Sequence, residues 1–204
     1  MPWLPLFIPT DVVIATRPSL GINFRVQEID MIKSIAPTAL GGIMQMAWVT
    51  PDLDASLSQF STLYGVPAFY QMEVDFPAVV FGESGNMTVR LALANVDNIQ
   101  LEIIQPVGGG INRIYRDALP ADGSHANVFH HVCVKVEGSL ADWDAYVAKL
   151  GPDRPIVYIG DAGPEVRFLY TDDRAALGIY VEHIWRSAAL DAAMDEAIPS
   201  FNSK

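Results

Sequence analysis

The chain of 204 residues holds a single cysteine, Cys133. That excludes an intramolecular disulfide framework and a cysteine metal cluster, and it fits a reducing compartment. Basic residues are scarce as well: 13 Lys and Arg stand against 24 Asp and Glu, a formal net charge of −11. A surface of that sign repels the phosphates of nucleic acids and anionic membranes, so neither is expected as a partner. No apolar run is long enough to span a bilayer. The run from Met1 to Pro9 is apolar, yet it lacks the basic residues of a secretory signal, and Pro2, Pro5 and Pro9 oppose a helix there. A soluble, cytoplasmic protein is the expectation. Half of the residues are hydrophobic and 18% are charged, which places the chain among globular proteins.

Hydrophobic periodicity then orders the chain. Residues 1–40 read as an arm that packs on the domain or on a neighbouring subunit, with short elements at Val12–Ala15 and Phe24–Ile32. From Gly41 the pattern changes. Ile43–Val49 reads as a strand, and Thr50-Pro51-Asp52 as the turn into a helix whose stripe is Leu53, Leu57, Phe60 and Leu63 to Tyr64, stopped by Gly65. Strand-like runs follow at Ala68–Val74, Ala78–Phe81, Met87–Ala94 and Ile99–Ile104, with turn signals at Glu83–Asn86 and Asn95–Asn98. After a glycine loop at Pro106–Gly110 and a helical stretch at Asn112–Leu119, the order recurs. Phe129–Val136 is a strand, Ser139–Leu150 a helix stopped by Gly151, and Ile156–Ile159, Glu165–Thr171 and Leu177–Trp185 are strands. An Ala-rich helix covers Ser187–Ile198, with Phe201 as a docking residue.

The recurrence can be counted. Gln45 lies 20 residues before Gly65, and His131 lies 20 before Gly151. Val89-Arg90-Leu91 is matched by Val166-Arg167-Phe168, and a strand glutamate follows each arginine: Glu102 after 12 positions, Glu182 after 15. The expected architecture is α+β: two tandem βαβββ modules, 43–105 and 128–185, forming a cup-shaped mixed sheet within a domain at 41–186. An N-terminal arm precedes it, and a helical tail at 187–204 follows. Gln45, Glu102, His131 and Glu182 are polar residues in otherwise apolar strands, where a glutamate is costly to bury unless it is paired or bound to a metal. If the modules pair about a pseudo-twofold axis, one imidazole nitrogen and three oxygen donors converge. Such a set suits a divalent ion: Zn, Ni, Co, Mn or Fe. Alternation turns His130 away from His131 and His183 away from Glu182, and puts Cys133 on the face of His131.

Four segments, Gln45-Met-Ala-Trp-Val-Thr-Pro-Asp-Leu-Asp54, Ile99-Gln-Leu-Glu-Ile-Ile-Gln-Pro106, His130-His-Val-Cys-Val-Lys-Val136 and Gly178-Ile-Tyr-Val-Glu-His183, resemble the vicinal oxygen chelate superfamily (glyoxalases, bleomycin-resistance proteins, extradiol dioxygenases) in order and spacing. The likeness is greatest to its glyoxalase and methylmalonyl-CoA epimerase-like branch, and runs from Gly42 to Trp185. The resemblance implies Gln45, Glu102, His131 and Glu182 as metal ligands, with Glu182 and Glu102 as the catalytic carboxylates. The implied reaction is that of a metal-dependent isomerase, epimerase or lyase: proton transfer next to a metal-chelated carbonyl through an enediolate or enolate. Glutathione-dependent relatives carry an arginine and an asparagine where this chain has Val49 and Pro106, which argues against glutathione. The loop 105–113, with Tyr115 and Arg116, points instead to an acyl-CoA or another α-substituted carbonyl compound. Trp48, Phe69, Tyr70, Phe76, Phe81 and Trp185 would make the cup apolar if several of them line it. The expected partners are a small-molecule substrate, apolar or acyl-CoA-like, and a second copy of the chain as a homodimer.

Two other readings stay open: an iron-dependent extradiol-type ring-cleaving dioxygenase, against which Gln45 stands in place of a histidine, and a non-enzymatic binding protein of the bleomycin-resistance kind. Metal analysis of the purified protein separates them. Zn, Ni, Co or Mn is expected; iron with oxygen uptake would indicate the dioxygenase, and no retained metal the binding protein.

Overall fold

The computed structural model describes residues 5–7, 13–15, 40 and 42–202. The expected element at Phe24–Ile32 lies outside them. The chain separates into two compact units, residues 1–35 and 36–204. In the first, strands β1 (Pro5–Phe7) and β2 (Val13–Ala15) pair antiparallel.

The second unit carries the repeat. Its first module is β3 (Ile43–Val49), α1 (Leu53–Tyr64), β4 (Tyr70–Val80), β5 (Glu83–Val96) and β6 (Ile99–Gly108). After the short α2 (Arg113–Arg116) comes the second module: β7 (Val128–Lys135), α3 (Leu140–Val147), β8 (Ile156–Gly160), β9 (Val166–Asp172) and β10 (Tyr180–Arg186), with a turn of helix α4 (Arg174–Leu177) before the last strand. The chain continues as α5 (Ala188–Ala197) and β11 (Ser200–Phe201). The strand order is β11-β5-β4-β8-β9-β10-β7-β3-β6, and β5 also pairs with β6. That last pairing joins β6, at one end of the row, to β5, so the expected cup is closed into a barrel of eight strands with β11 added beside β5. The antiparallel β4–β8 pair at Ala78–Gly160, Val79–Ile159 and Val80–Tyr158 joins the two modules on the far side.

Local chemistry sets the helix limits. Asp52 caps α1 by accepting from the Ala55 amide at 3.0 Å, and Gly65 ends it in the left-handed region at φ 71°. Leu53, Ser56 and Phe60 are the buried face of α1, whereas Leu63 and Tyr64 in its last turn are exposed. Ser139 and Asp142 cap α3 reciprocally. This helix ends at Val147, capped by Ala148, rather than running on to Gly151. The expected turn at Glu83–Asn86 is strand. The chain turns at Phe81 and Gly82, which take φ of 50° and 81°, and Glu83–Asn86 already pairs with Pro77–Val80. Alternation divides the core. One set of side chains packs outward, Leu53, Phe60, Ala92 and Ile103 with α1, and Val136, Trp143, Leu169 and Trp185 with α3. The inward set fills one end of the barrel around Val80, Met87, Ile104, Ile114 and Tyr115 and leaves the other end hollow. Among the described residues no helix is long and apolar enough to cross a membrane.

Gly109, just past β6, has φ 83°, and a Cβ there would overlap the Asn86 carbonyl of β5. Gly109→Ala is therefore expected to lower the unfolding free energy by about 2–4 kcal/mol. Gly151→Ala, whose Cβ meets nothing within 4 Å, is expected to change it by about 0.5 kcal/mol or less. Chemical denaturation of both variants checks the pair.

Candidate metal centre

Strand register brings the four polar strand residues onto two neighbouring rungs of the barrel interior. Gln45 on β3 pairs with Cys133 on β7 and with Gln100 on β6, and Cys133 pairs with Glu182 on β10. Ala47 on β3 pairs with His131 on β7 and with Glu102 on β6. The arrangement is two-fold: Gln45 matches His131, Ala47 matches Cys133, and Glu102 matches Glu182. The two small residues at the centre leave room for the long side chains beside them.

Glu102, His131 and Glu182 converge, and one ligand atom from each lies within 4.8 Å of the others. His131 Nε2 stands 3.2 Å from Glu182 Oε2, 3.4 Å from Glu102 Oε2 and 3.2 Å from the Tyr170 hydroxyl. All three residues of the group are buried. Gln45 is buried and lines the same cavity, but its amide Nε2 donates to Gln100 Oε1 at 2.9 Å. That bond commits the nitrogen end of the amide and leaves the oxygen as the end that could serve as a ligand.

The tautomer of His131 follows from its neighbour. His130 Nε2 lies 2.9 Å from the Ile114 carbonyl, which can only accept, so Nε2 carries the proton. Burial and the charge of His131 push the His130 pKa down to about 3, so the ring is neutral and its Nδ1 is an acceptor. His131 Nδ1 lies 2.9 Å from that nitrogen and donates to it. The remaining nitrogen of His131, Nε2, is thus the one turned to the carboxylates, the orientation that a ligand histidine needs. The expected turn of His130 to the opposite face is not found: it is the extra residue where the β3–β7 register shifts between Ala47 and Trp48, and its ring packs with the inward Tyr115, Tyr170 and Tyr180, from where it fixes the ring of His131. The sequence assigned it no role.

The electrostatics call for a cation. Burial draws the His131 imidazole down, but the hydrogen bonds and charges of Glu102 and Glu182 outweigh it and hold the pKa at about 9. Burial raises the carboxyl of Glu102, with the Glu182 charge adding to the rise and the His131 contacts opposing it. Among the described residues Glu102 Oε2 makes no well-formed hydrogen bond, and its 3.4 Å approach to His131 Nε2 is an ion-pair contact. An orphaned, buried carboxylate oxygen opposite an imidazole nitrogen and a second carboxylate fits a divalent ion. Without one, a proton on Nε2 supplies the positive charge. Cys133 shares this face, and burial keeps its thiol well above the ordinary range, hence protonated and unreactive.

Of the aromatic residues singled out in the sequence, Phe76 lines the cavity, whereas Trp48 and Phe69 pack toward α1 and Trp185 toward α3. Sequence reading did not place Tyr115, Tyr158, Phe168 and Tyr170 at the cavity, which they line too. The available signal was parity: Phe168 and Tyr170 alternate inward on β9, as Glu182 does on β10. Arg90 and Arg167 do not join the site. Arg90 binds Asp54 at 3.1 Å and Gln105 at 3.2 Å, and Arg167 binds the Gly163 and Val166 carbonyls. His183 is buried against Tyr146 and Thr171 on the outer face.

The sequence model of the Glyoxalase/Bleomycin resistance protein/Dioxygenase superfamily matches residues 44–154, more than half of the chain. Solved structures similar to this one include a methylmalonyl-CoA epimerase in complex with methylmalonyl-CoA and NH4+, at 17% identity, covering 72% of this chain and 94% of that one, with a TM-score of 0.46. A Streptomyces coelicolor methylmalonyl-CoA epimerase variant in complex with 2-nitronate-propionyl-CoA gives the same four values, 17%, 72%, 94% and 0.46. A methylmalonyl-CoA epimerase from Mycobacterium tuberculosis is 14% identical, with coverage of 78% and 96% and a TM-score of 0.45. At those scores the likeness carries no argument about the reaction, and no curated protein matches the sequence. The match across residues 44–154 decides the family: the chain belongs to the Glyoxalase/Bleomycin resistance protein/Dioxygenase superfamily.

Proposed function

We propose that the protein is a metal-dependent isomerase or epimerase of the glyoxalase-like kind, which moves a proton at the carbon next to a substrate carbonyl. The observation that supports this most is the buried Glu102–His131–Glu182 group, with its orphaned carboxylate oxygen and its single imidazole nitrogen, opening into a cavity. Glu102, His131 and Glu182 would hold the ion, with Gln45 as a fourth ligand through its amide oxygen. A divalent ion bound there would supply positive charge against the negative charge developing on a substrate oxygen.

The protein's own residues account for the rest. Glu102 and Glu182 approach His131 from opposite sides of the β7–β3 pair, so they flank whatever lies over it. Glu182 is the proposed base and Glu102 its counterpart on the other side, the arrangement a proton shift between two faces of one carbon requires. The apolar wall around them excludes water, which strengthens each charge interaction inside and limits loss of the proton to solvent.

Two outcomes are expected. A divalent ion at 100 times its Kd should stabilise the protein by about 2.7 kcal/mol, raising Tm by about 5–10 °C. His131→Ala should abolish that rise; an unchanged rise in the variant would place the ion elsewhere. Glu182→Gln should cut kcat by about 10²–10⁴-fold while leaving the circular dichroism spectrum intact. Wild-type turnover by Glu182→Gln would remove Glu182 from the reaction.

A further inference from the structure

Among the described residues one cation, Arg186, lines the cavity at the hollow end of the barrel. Val74, Phe76, Ile184, Leu190 and Met194 make much of the surrounding wall apolar. Arg186 lies four residues beyond Glu182 on β10, so alternation puts Glu182, Ile184 and Arg186 on the inner face, and all three line the cavity. The charge is particular to this end of the barrel. The equivalent position in the first module, four residues beyond Glu102, holds Pro106, at the end that Ile104, Ile114 and Tyr115 fill.

The guanidinium is fixed on one side and unfilled on the other. Its side chain is 10% exposed. Nε donates to Asp191 Oδ1 of α5 at 2.8 Å, and Asp191 Oδ2 takes Lys135 Nζ at 2.8 Å. Asp191 therefore grips the Nε side and does not span the fork of Nη atoms. Among the described residues Nη2 has the Met44 sulfur at 3.8 Å, a weak acceptor, and Nη1 has no acceptor. Nη1 is not among the buried atoms that lack a partner, so it keeps access to solvent. Most of the five N–H donors of the guanidinium are thus left for something that enters the cavity. The group also faces the centre, since its charge acts on Glu102 and on Cys133.

Charge and shape indicate what enters. A divalent ion would offset the two glutamates beside a neutral His131, which leaves Arg186 as the charge that a ligand meets. The planar fork suits a carboxylate, which can take two parallel hydrogen bonds. Strand spacing sets the Cα atoms of Glu182 and Arg186 about 13 Å apart, so a ligand that reaches both ends carries an apolar segment alongside Ile184.

We propose that Arg186 determines the specificity of the site, and that the substrate is an oxo acid: its carbonyl lies at Glu102, His131 and Glu182, and its carboxylate, beyond a short apolar segment, lies on the Nη atoms of Arg186. Asp191 is a positioning residue that holds the fork toward the cavity. The inference rests on the proposed function for where the reaction takes place, while the carboxylate site on Arg186 requires no metal.

The test uses 6-oxoheptanoate and 6-oxoheptanamide, which match in length and differ in one charge. Both are titrated by NMR into wild-type protein and Arg186→Met, zinc-loaded and zinc-free. Zinc-loaded wild type should favour the carboxylate about tenfold, the worth of a charge-assisted hydrogen bond. Arg186→Met should bind the two probes equally, with its affinity for the amide unchanged. Equal affinities in wild type, a preference that survives in Arg186→Met, or failure of both probes to bind would each overturn the inference. If the variant does not fold, a crystal structure of wild type with 6-oxoheptanoate decides. Carboxylate oxygens about 2.7–2.9 Å from the Arg186 Nη atoms are expected, and a carboxylate seated on the zinc or elsewhere would overturn the assignment. Zinc held at His131 with equal affinities for the probes contradicts this inference alone. A protein that binds no zinc but keeps the preference that depends on Arg186 contradicts the proposed function and leaves this inference standing.

Discussion

Two carboxylates and one imidazole share the interior of a closed barrel, within a few ångströms of one another and away from water. Like charges in that setting repel strongly, and each loses its hydration. The arrangement persists only with positive charge between them, whether a proton on His131 Nε2 or an ion. Much of the surrounding structure serves that constraint. Ala47 and Cys133 are small where the rungs cross, so that the longer side chains beside them meet. His130, anchored on the Ile114 carbonyl, leaves His131 with its free nitrogen facing the carboxylates. Tyr170 closes the third side.

The tail of the chain is tied to the same centre. From β10 it runs through α5, whose Leu190 and Met194 line the cavity, and then adds β11 beside Asn95 and Val96 of β5. Ser200 Oγ accepts from Asn95 Nδ2 at 3.3 Å, Asn95 Oδ1 accepts from Gln100 Nε2 at 3.1 Å, and Gln100 Oε1 accepts from Gln45 Nε2 at 2.9 Å. Asn95 and Gln100 have both ends of their amides committed in this row and Gln45 only its nitrogen, which settles that its oxygen is the end left for the cavity. Truncated after β10, the chain would lose both part of the apolar wall and the far end of that row.

Much of this architecture is legible in the sequence because its signals are periodic. Two strand–turn–helix units of equal length, and a glutamate in the last strand of each, place four residues on equivalent rungs before any coordinates are known. The α1 boundaries follow from Asp52 and Gly65, whose chemistry is local. What stays hidden is set by pairing between distant strands. Closure of the cup depends on β3 pairing with β7 and β4 with β8, strands that belong to different modules, and no local pattern announces it. The glycine at position 85 reads as a turn but lies in a strand paired with Ala78, while the true turn takes Phe81 through positive φ, a conformation that its side chain disfavours. The tyrosines of the cavity are invisible for a related reason. An inward tyrosine looks like ordinary core until the barrel places its ring beside the cavity. His130 reads as the idle member of a pair because strict alternation sends it to the outer face, whereas the register shift beside it turns it inward onto Tyr115 and onto Nδ1 of its neighbour.

The central claim is that the Glu102–His131–Glu182 group holds a cation heavier than a proton. Anomalous diffraction from crystals grown with zinc, recorded on both sides of the zinc absorption edge, tests it most directly. The expected result is one difference peak about 2.0–2.2 Å from His131 Nε2 and from an oxygen of each glutamate, present above the edge and absent below it. A protein that diffracts well under those conditions with no peak at this position, or with the zinc bound at other residues, would contradict the account.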